Sequence, residues 1–184
     1  MAGEFWSNPA AEPKRSHRFL VSFELPGGLN TQLYARTFTK PGWTVGATEH
    51  QFLDKIYYYP GRVTWSEVTA QFVNSADPDM DEKIQEILTS MGWVNPNDVG
   101  NSGGSVTNGG TPNKDMAVAA LGSSVVVTEL DGEGGAIGNY KLNNPFVVSV
   151  SYGTLDYSSE DLLTVDIGFR YDWATYTPGA SAAT

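Results

Sequence analysis

Apolar residues in this chain mostly recur at every second position, as in strands that turn one face toward a core. In residues 19–25, Phe19, Val21, Phe23 and Leu25 alternate with Leu20, Ser22 and Glu24, and Pro26-Gly27-Gly28 ends the run. Residues 33–38 form a second predicted strand, with Leu33, Ala35 and Thr37 on one side and Tyr34, Arg36 and Phe38 on the other. Lys40-Pro41-Gly42 closes it. From residue 45 to 59 the chain reads as extended. Pro60-Gly61 then predicts a tight turn, because proline presets φ and glycine accepts positive φ. Residues 62–73 run back. Their apolar phase switches between Trp65 and Val68, which marks a bulge or a strand whose ends face different surroundings.

One stretch changes period. Met80, Ile84, Ile87, Leu88 and Met91 recur at helical spacing, Asp79 and Glu82 fit a capping box, and Gly92 supplies the stop. Residues 95–113 are a loop rich in glycine and asparagine, of a length that is usually functional or mobile. Strands resume at residues 124–130, 137–142 and 146–152, with a turn at Asp131-Gly132-Glu133-Gly134-Gly135. The clearest alternation is the last. Leu163, Val165, Ile167, Phe169, Tyr171 and Trp173 share one face, and Thr164, Asp166, Gly168, Arg170 and Asp172 share the other, so one continuous half-buried strand is expected. The organisation is an N-terminal arm (1–15), one domain (16–176) and a short polar tail (177–184). Its class is mainly β, an antiparallel sandwich or barrel-like fold with one flanking helix.

Composition narrows what this fold does. Of 184 residues, 40% are hydrophobic and 12% aromatic, while only 17% are charged, below the usual quarter, which fits surface hidden in an assembly. There is no cysteine, so disulfides and thiolate metal sites are excluded. No apolar run is long enough for a bilayer and no secretory signal opens the chain, so membrane insertion is not expected. The net charge is −10, and residues 115–184 hold nine acids against Lys141 and Arg170 alone. Such a surface repels phosphate and disfavours nucleic-acid binding.

Candidate chemistry is sparse. His17 and His50 are far apart, and no cluster of histidine and carboxylate residues has ligand spacing. Gly132-Glu133-Gly134 precedes no helix and is flanked by acids, so it is a turn and not a phosphate loop. Asp156, Glu160 and Asp161 lie in a connection with no partner base, and no nucleophile elbow is present. No catalytic residue, metal or cofactor is expected. Tyr57-Tyr58-Tyr59, near Trp43 and Trp65, stands out, because consecutive tyrosines point to both faces of a strand. Either a two-sided core lies under a long hairpin, or the hairpin protrudes and docks on another subunit, where tyrosine is favoured.

The order of elements carries a resemblance. A strand opening His17-Arg18-Phe19-Leu20-Val21-Ser22-Phe23 leads to Lys40-Pro41-Gly42, an aromatic hairpin, a helix, a Gly-rich loop and further strands ending at Tyr171-Asp172-Trp173. Over residues 16–176 this resembles the T4-type tail tube protein family, which includes inner-tube proteins of contractile injection systems. The resemblance implies a structural protein that self-assembles into stacked hexameric rings. These would form the inner tube of a contractile phage tail, assembled in the host bacterial cytoplasm and carried in the virion. Its partners would be further copies of itself, a tail sheath protein, a baseplate or tube initiator and a tail terminator, with DNA passing without specific binding. An injection-system tube or a baseplate tube initiator is the related alternative. A small-ligand-binding β-barrel module, its pocket lined by Trp and Tyr, is the alternative from another class. On the tube reading, Glu24, Glu67, Asp166, Arg170 and Asp172 are lumen candidates. Phe52, Leu53, Tyr57, Tyr58, Tyr59, Pro60 and Gly61 are ring-stacking candidates. Lys83 and Glu86 are candidate sheath contacts.

Overall fold

Alternation decides which side of each strand is dry. The computed structural model describes residues 14–23, 35–77, 79–95, 111–122, 124–158 and 160–179. They form β1 (Phe19–Phe23), β2 (Ala35–Phe38), β3 (Trp43–Phe52), β4 (Lys55–Trp65), β5 (Val68–Val73), α1 (Met80–Ser90), α2 (Lys114–Ala119), β6 (Ser124–Leu130), β7 (Ala136–Asn143), β8 (Phe146–Tyr152), β9 (Thr164–Arg170) and β10 (Trp173–Pro178). One antiparallel sheet has the order β1-β6-β7-β10, a second β2-β5-β9-β8, and β3-β4 is a separate ribbon. Val125 and Val127 of β6 and Leu142 of β7 meet Val68, Ala70 and Phe72 of β5 and Val165, Ile167 and Phe169 of β9 in one core. Met80, Ile84, Ile87 and Met91 from α1, and Ala117, Ala120 and Leu121 from α2 and its end, join the same cluster. The class is therefore the expected mainly β, sandwich-like one.

The cap of α1 is as the sequence predicts. The Asp79 carboxylate accepts hydrogen bonds from the backbone N–H groups of Asp81 (3.0 Å) and Glu82 (3.4 Å). A second helix, α2, was not expected. It is short, and its cap is Asn113, whose side-chain oxygen accepts from the Met116 N–H at 2.8 Å. The Gly/Asn-rich loop of 95–113, the arm of 1–15 and the tail of 177–184 lie mostly outside the described residues.

Two further expectations are corrected. Pro60-Gly61 does not turn the chain. The two-residue turn is Leu53-Asp54, with Leu53 at φ 53° and Phe52 paired to Lys55. Pro60 lies inside β4 opposite Ala47, where the register shifts between Val45 and Ala47. A ribbon edge and a bulge are the places where a missing N–H is tolerated. A Cβ on Gly61 would lie 3.0 Å from the Gly46 carbonyl oxygen, so this crossing is close. The phase switch near Trp65 is the passage through Ser66 and Glu67 from the ribbon into β5.

The single last strand is really two. β9 pairs with β5 and β8, whereas β10 pairs with β7 in the other sheet. The corner is fixed at Asp172. Its N–H donates to Asn143 O at 3.1 Å, and its carboxylate accepts from Lys114 Nζ at 2.7 Å and Asn144 Nδ2 at 2.9 Å. Alternation holds only up to the corner: Tyr171 points into the core, but Trp173, expected on the same buried face, is 46% exposed and Ala174 packs against the core instead.

The core makes one direct prediction. Phe72 is fully buried between the sheets. Phe72→Ala should lower unfolding free energy by about 3–5 kcal/mol through lost transfer energy and an unfilled cavity, measured by urea denaturation.

Candidate assembly surfaces

Among the described residues, no core lies beneath the ribbon β3-β4. Every residue from Trp43 to Thr64 is exposed. This overturns the two-sided core and leaves a protruding hairpin. Phe52, Leu53, Tyr57, Tyr58, Tyr59, Pro60 and Gly61 all lie in it, with Leu53 81% and Tyr58 63% exposed. Tyr57 and Tyr59 face one side and Tyr58 the other, so both faces of the ribbon are apolar. Ile56 extends that surface toward the tip, and Trp43, Val45 and Val63 extend it toward the base.

A second surface is polar. In the β2-β5-β9-β8 sheet, the face away from the core carries Thr69 and Gln71 from β5, Asp166 and Arg170 from β9, and Ser149 and Ser151 from β8. Glu67, just before β5, joins them, and Arg170 Nε lies 3.4 Å from its carboxylate. Gly168 leaves the space that this needs, since a Cβ there would meet Ser149 Oγ at 2.3 Å and Glu67 Oε1 at 2.6 Å. Three of the five lumen candidates, Glu67, Asp166 and Arg170, thus share one face. Asp172 does not, because it sits at the corner bound to Lys114 and Asn144. Lys114 and Asn144 hold its carboxyl below the usual aspartate value. Glu24 lies outside the described residues.

The helix face is less open than expected. Lys83 and Glu86 pair with each other at 2.8 Å, and the Lys83 side chain is largely covered, so neither is a free outward charge. Beside α1, an open groove of about 840 Å³ runs between α1, α2 and β8. Ile84, Leu88, Met91, Phe146, Val150 and Tyr152 are among the residues lining it, and no tryptophan is among them. Of the Trp and Tyr lining expected for a ligand-binding barrel, this groove has Tyr152 and Tyr171 only. Among the described residues no group of three His, Asp or Glu side chains is arranged to hold a metal, and no helix is long and apolar enough to cross a membrane.

One cluster carried no sequence signal beyond its charge. Glu129 occupies an inward position of β6 after Val125 and Val127, yet it is only 6% exposed. Lys14, at the end of the N-terminal arm, and Lys40, between β2 and the ribbon, both donate to its carboxylate. Each ammonium also lies over a tyrosine ring, Lys14 over Tyr176 at 5.4 Å and Lys40 over Tyr140 at 5.7 Å. The two rings stand 4.8 Å apart, and Gly138 leaves room for Tyr176, whose hydroxyl would lie 2.3 Å from an added Cβ. Lys40 thereby ties the root of the ribbon to the opposite sheet.

No protein-family model matches the chain, and no curated protein matches it. Solved structures do. A chain of an extracellular contractile injection system, from its sheath/tube terminator in the extended state, superposes with a TM-score of 0.59 at 14% identity, covering 90% of this chain and 97% of that one. A chain from the anti-feeding prophage baseplate gives 0.56 at 16% identity over 91% and 97%, and one from a sheath–tube complex gives 0.57 at 14% over 90% and 92%. The chain has a tail-tube-type fold.

Within this tail-tube-type fold the Glu129 cluster makes stability depend on acid. Burial raises the Glu129 carboxyl, but hydrogen bonds from Lys14 and Lys40 outweigh it and hold the group below its ordinary 4.5. A depressed carboxyl contributes stability above its unfolded value and loses it as pH falls through the folded one. Because both lysines are half-exposed, the contribution is modest. Glu129→Gln should cost about 1 kcal/mol at pH 7, lowering the melting temperature by roughly 2–4 °C. The gap to wild type should narrow as pH falls below the ordinary carboxyl value of 4.5, in thermal melts followed by circular dichroism.

Proposed function

We propose that this chain is a structural subunit of the inner tube of a contractile tail-like machine, and that its activity is self-assembly. The observation that carries the reading is the ribbon. A long two-stranded hairpin with apolar side chains on both faces is not stable as a free-standing element, so a neighbouring molecule must cover it. The open sheets support the same reading. Among the described residues β1, β10, β2 and β8 are edge strands, each paired to a strand on one side. Copies joined head to tail through such edges close into a ring. Rings of six stacked through the ribbons build a tube.

The polar face with Glu67, Asp166 and Arg170 suits the wall of such a channel, and the −10 charge suits a conduit to which a passing polyanion does not adhere. We assign the subunit to a phage tail that ejects DNA, or to the related injection machine that the solved structures represent. The sheath, the initiator and the terminator are its partners on either assignment. No turnover is required of any residue.

Negative-stain images of the purified protein over a range of concentrations test this. Rings and tubes are expected; a monomer at every concentration would sink the proposal. Tyr58→Asp should leave the wild-type melting temperature unchanged, since Tyr58 touches no core, yet stop tube growth. Normal tubes from this variant would remove Tyr58 from the stacking contact.

A further inference from the structure

Ile84 and Leu88 of α1, Ala117 beside them and Phe146, Val148 and Val150 of β8 wall the groove between the two helices and the sheet edge. At about 840 Å³ it has room for a bulky group. Its wall also holds an unpaired polar group. Tyr171 lines the groove and is only 7% exposed, and among the described residues its hydroxyl has no hydrogen-bond partner. A buried hydroxyl is seldom left so. An occupant that brings apolar bulk together with a polar hydrogen would satisfy both features.

The N-terminal arm is fastened on the groove's side of the molecule. β1 and β2 form one pair of sheet edges, in contact with each other, and β10 and β8 form the opposite pair. Lys14 places its ammonium 3.4 Å from the Tyr176 hydroxyl and over the Tyr176 ring, on β10. Residues 14–18 then lead across to β1. The chain before Lys14 therefore starts from the β10 edge. Asp172, on the groove rim, lies four residues from Tyr176, about 13 Å of extended chain. From Lys14 back to Trp6 is eight residues, a reach of about 26–29 Å, so the span suffices.

Side-chain chemistry selects the arm among the segments outside the described residues. Phe5-Trp6 joins two large rings, and the indole adds an N–H donor. The tail, 180–184, offers alanine, serine and threonine alone, and residues 96–110 offer nothing apolar larger than valine. Residues 24–34 contain Leu25, Leu29 and Leu33, but they join β1 to β2, at the opposite edges.

We propose that Phe5 and Trp6 of the N-terminal arm seat in the groove of their own subunit, with the indole N–H serving the Tyr171 hydroxyl. A short tether keeps the two rings at high local concentration beside the groove, so the contact needs no second molecule. It covers apolar surface that the subunit would otherwise present to any passing partner. The inference does not depend on the tube reading and holds for a lone subunit.

The chain has no cysteine, so an introduced pair forms the one disulfide the monomer can make. Ser7→Cys/Val148→Cys puts one thiol beside the aromatic pair and the other in the groove. Ser7→Cys/Thr69→Cys puts the second on the exposed face of β5 instead. Each variant is first checked for a wild-type melting curve, and Gln85→Cys, also on the groove, replaces Val148→Cys if that variant does not fold. Under mild oxidation of dilute protein, the groove pair should close about tenfold faster than the Thr69 pair, within one chain on a non-reducing gel. Adding Phe5→Ser/Trp6→Ser should abolish that advantage. Equal rates for the two pairs, or a groove rate that Phe5→Ser/Trp6→Ser leaves unchanged, overturn the inference. A disulfide that links two chains overturns it as well, since the groove would then receive the arm of a second copy. None of these outcomes bears on tube growth, so each leaves the tube reading as it stands.

Discussion

A ribbon of two strands has no inside. β3 and β4 satisfy each other's backbone groups, but among the described residues nothing covers their side chains, and the tyrosine triplet makes both faces apolar. Burying one such side chain is worth about 1.5–3 kcal/mol, so the row from Trp43 to Val63 holds a large unspent driving force. The rest of the molecule can be understood as the platform that presents this ribbon. The shared core of the two sheets fixes β5, and β5 follows β4 after only two residues.

Rigidity at the root matters for the same reason. Lys40 lies between β2 and the ribbon, and it reaches across to Glu129 in the other sheet. Lys14 reaches the same carboxylate from the end of the N-terminal arm. One buried acid therefore gathers the arm, the ribbon root and the β1-β6-β7-β10 sheet. A charge on an inward strand position is costly unless it is paired, and two ammonium groups over two tyrosine rings pair it well. A hydrophobic residue there would pack as closely but would not hold two polar chain segments in place.

Much of this was legible beforehand, for reasons that can be traced to particular residues. The period-two run in β9 and the Asp79 cap of α1 are local signals, and local signals survive folding. The Tyr57-Tyr58-Tyr59 run pointed to the exposed ribbon. What failed was non-local. Pro60-Gly61 is a strong turn signal, yet pairing over the whole length of β3 and β4 overrode it and moved the turn to Leu53. In the sequence the alternation from Val165 to Trp173 has no break, so the change of sheet at Asp172 is visible only through its distant partners Lys114, Asn143 and Asn144. The Glu129 cluster joins residues 89 and 115 positions apart, and nothing in either neighbourhood announces it. α2 fell below the length at which helical periodicity can be recognised.

The misplaced turn signal has its own consequence. Phe52, Ile56 and the tyrosines form the kind of run, β-prone and poor in charge, from which cross-β fibrils nucleate. Pro60 interrupts it. With no N–H to offer, and with the Gly46 irregularity twisting the ribbon beside it, Pro60 denies an incoming strand a flat, unbroken template. On the proposed tube reading, a subunit waiting with its adhesive surface uncovered would thereby be kept out of amyloid.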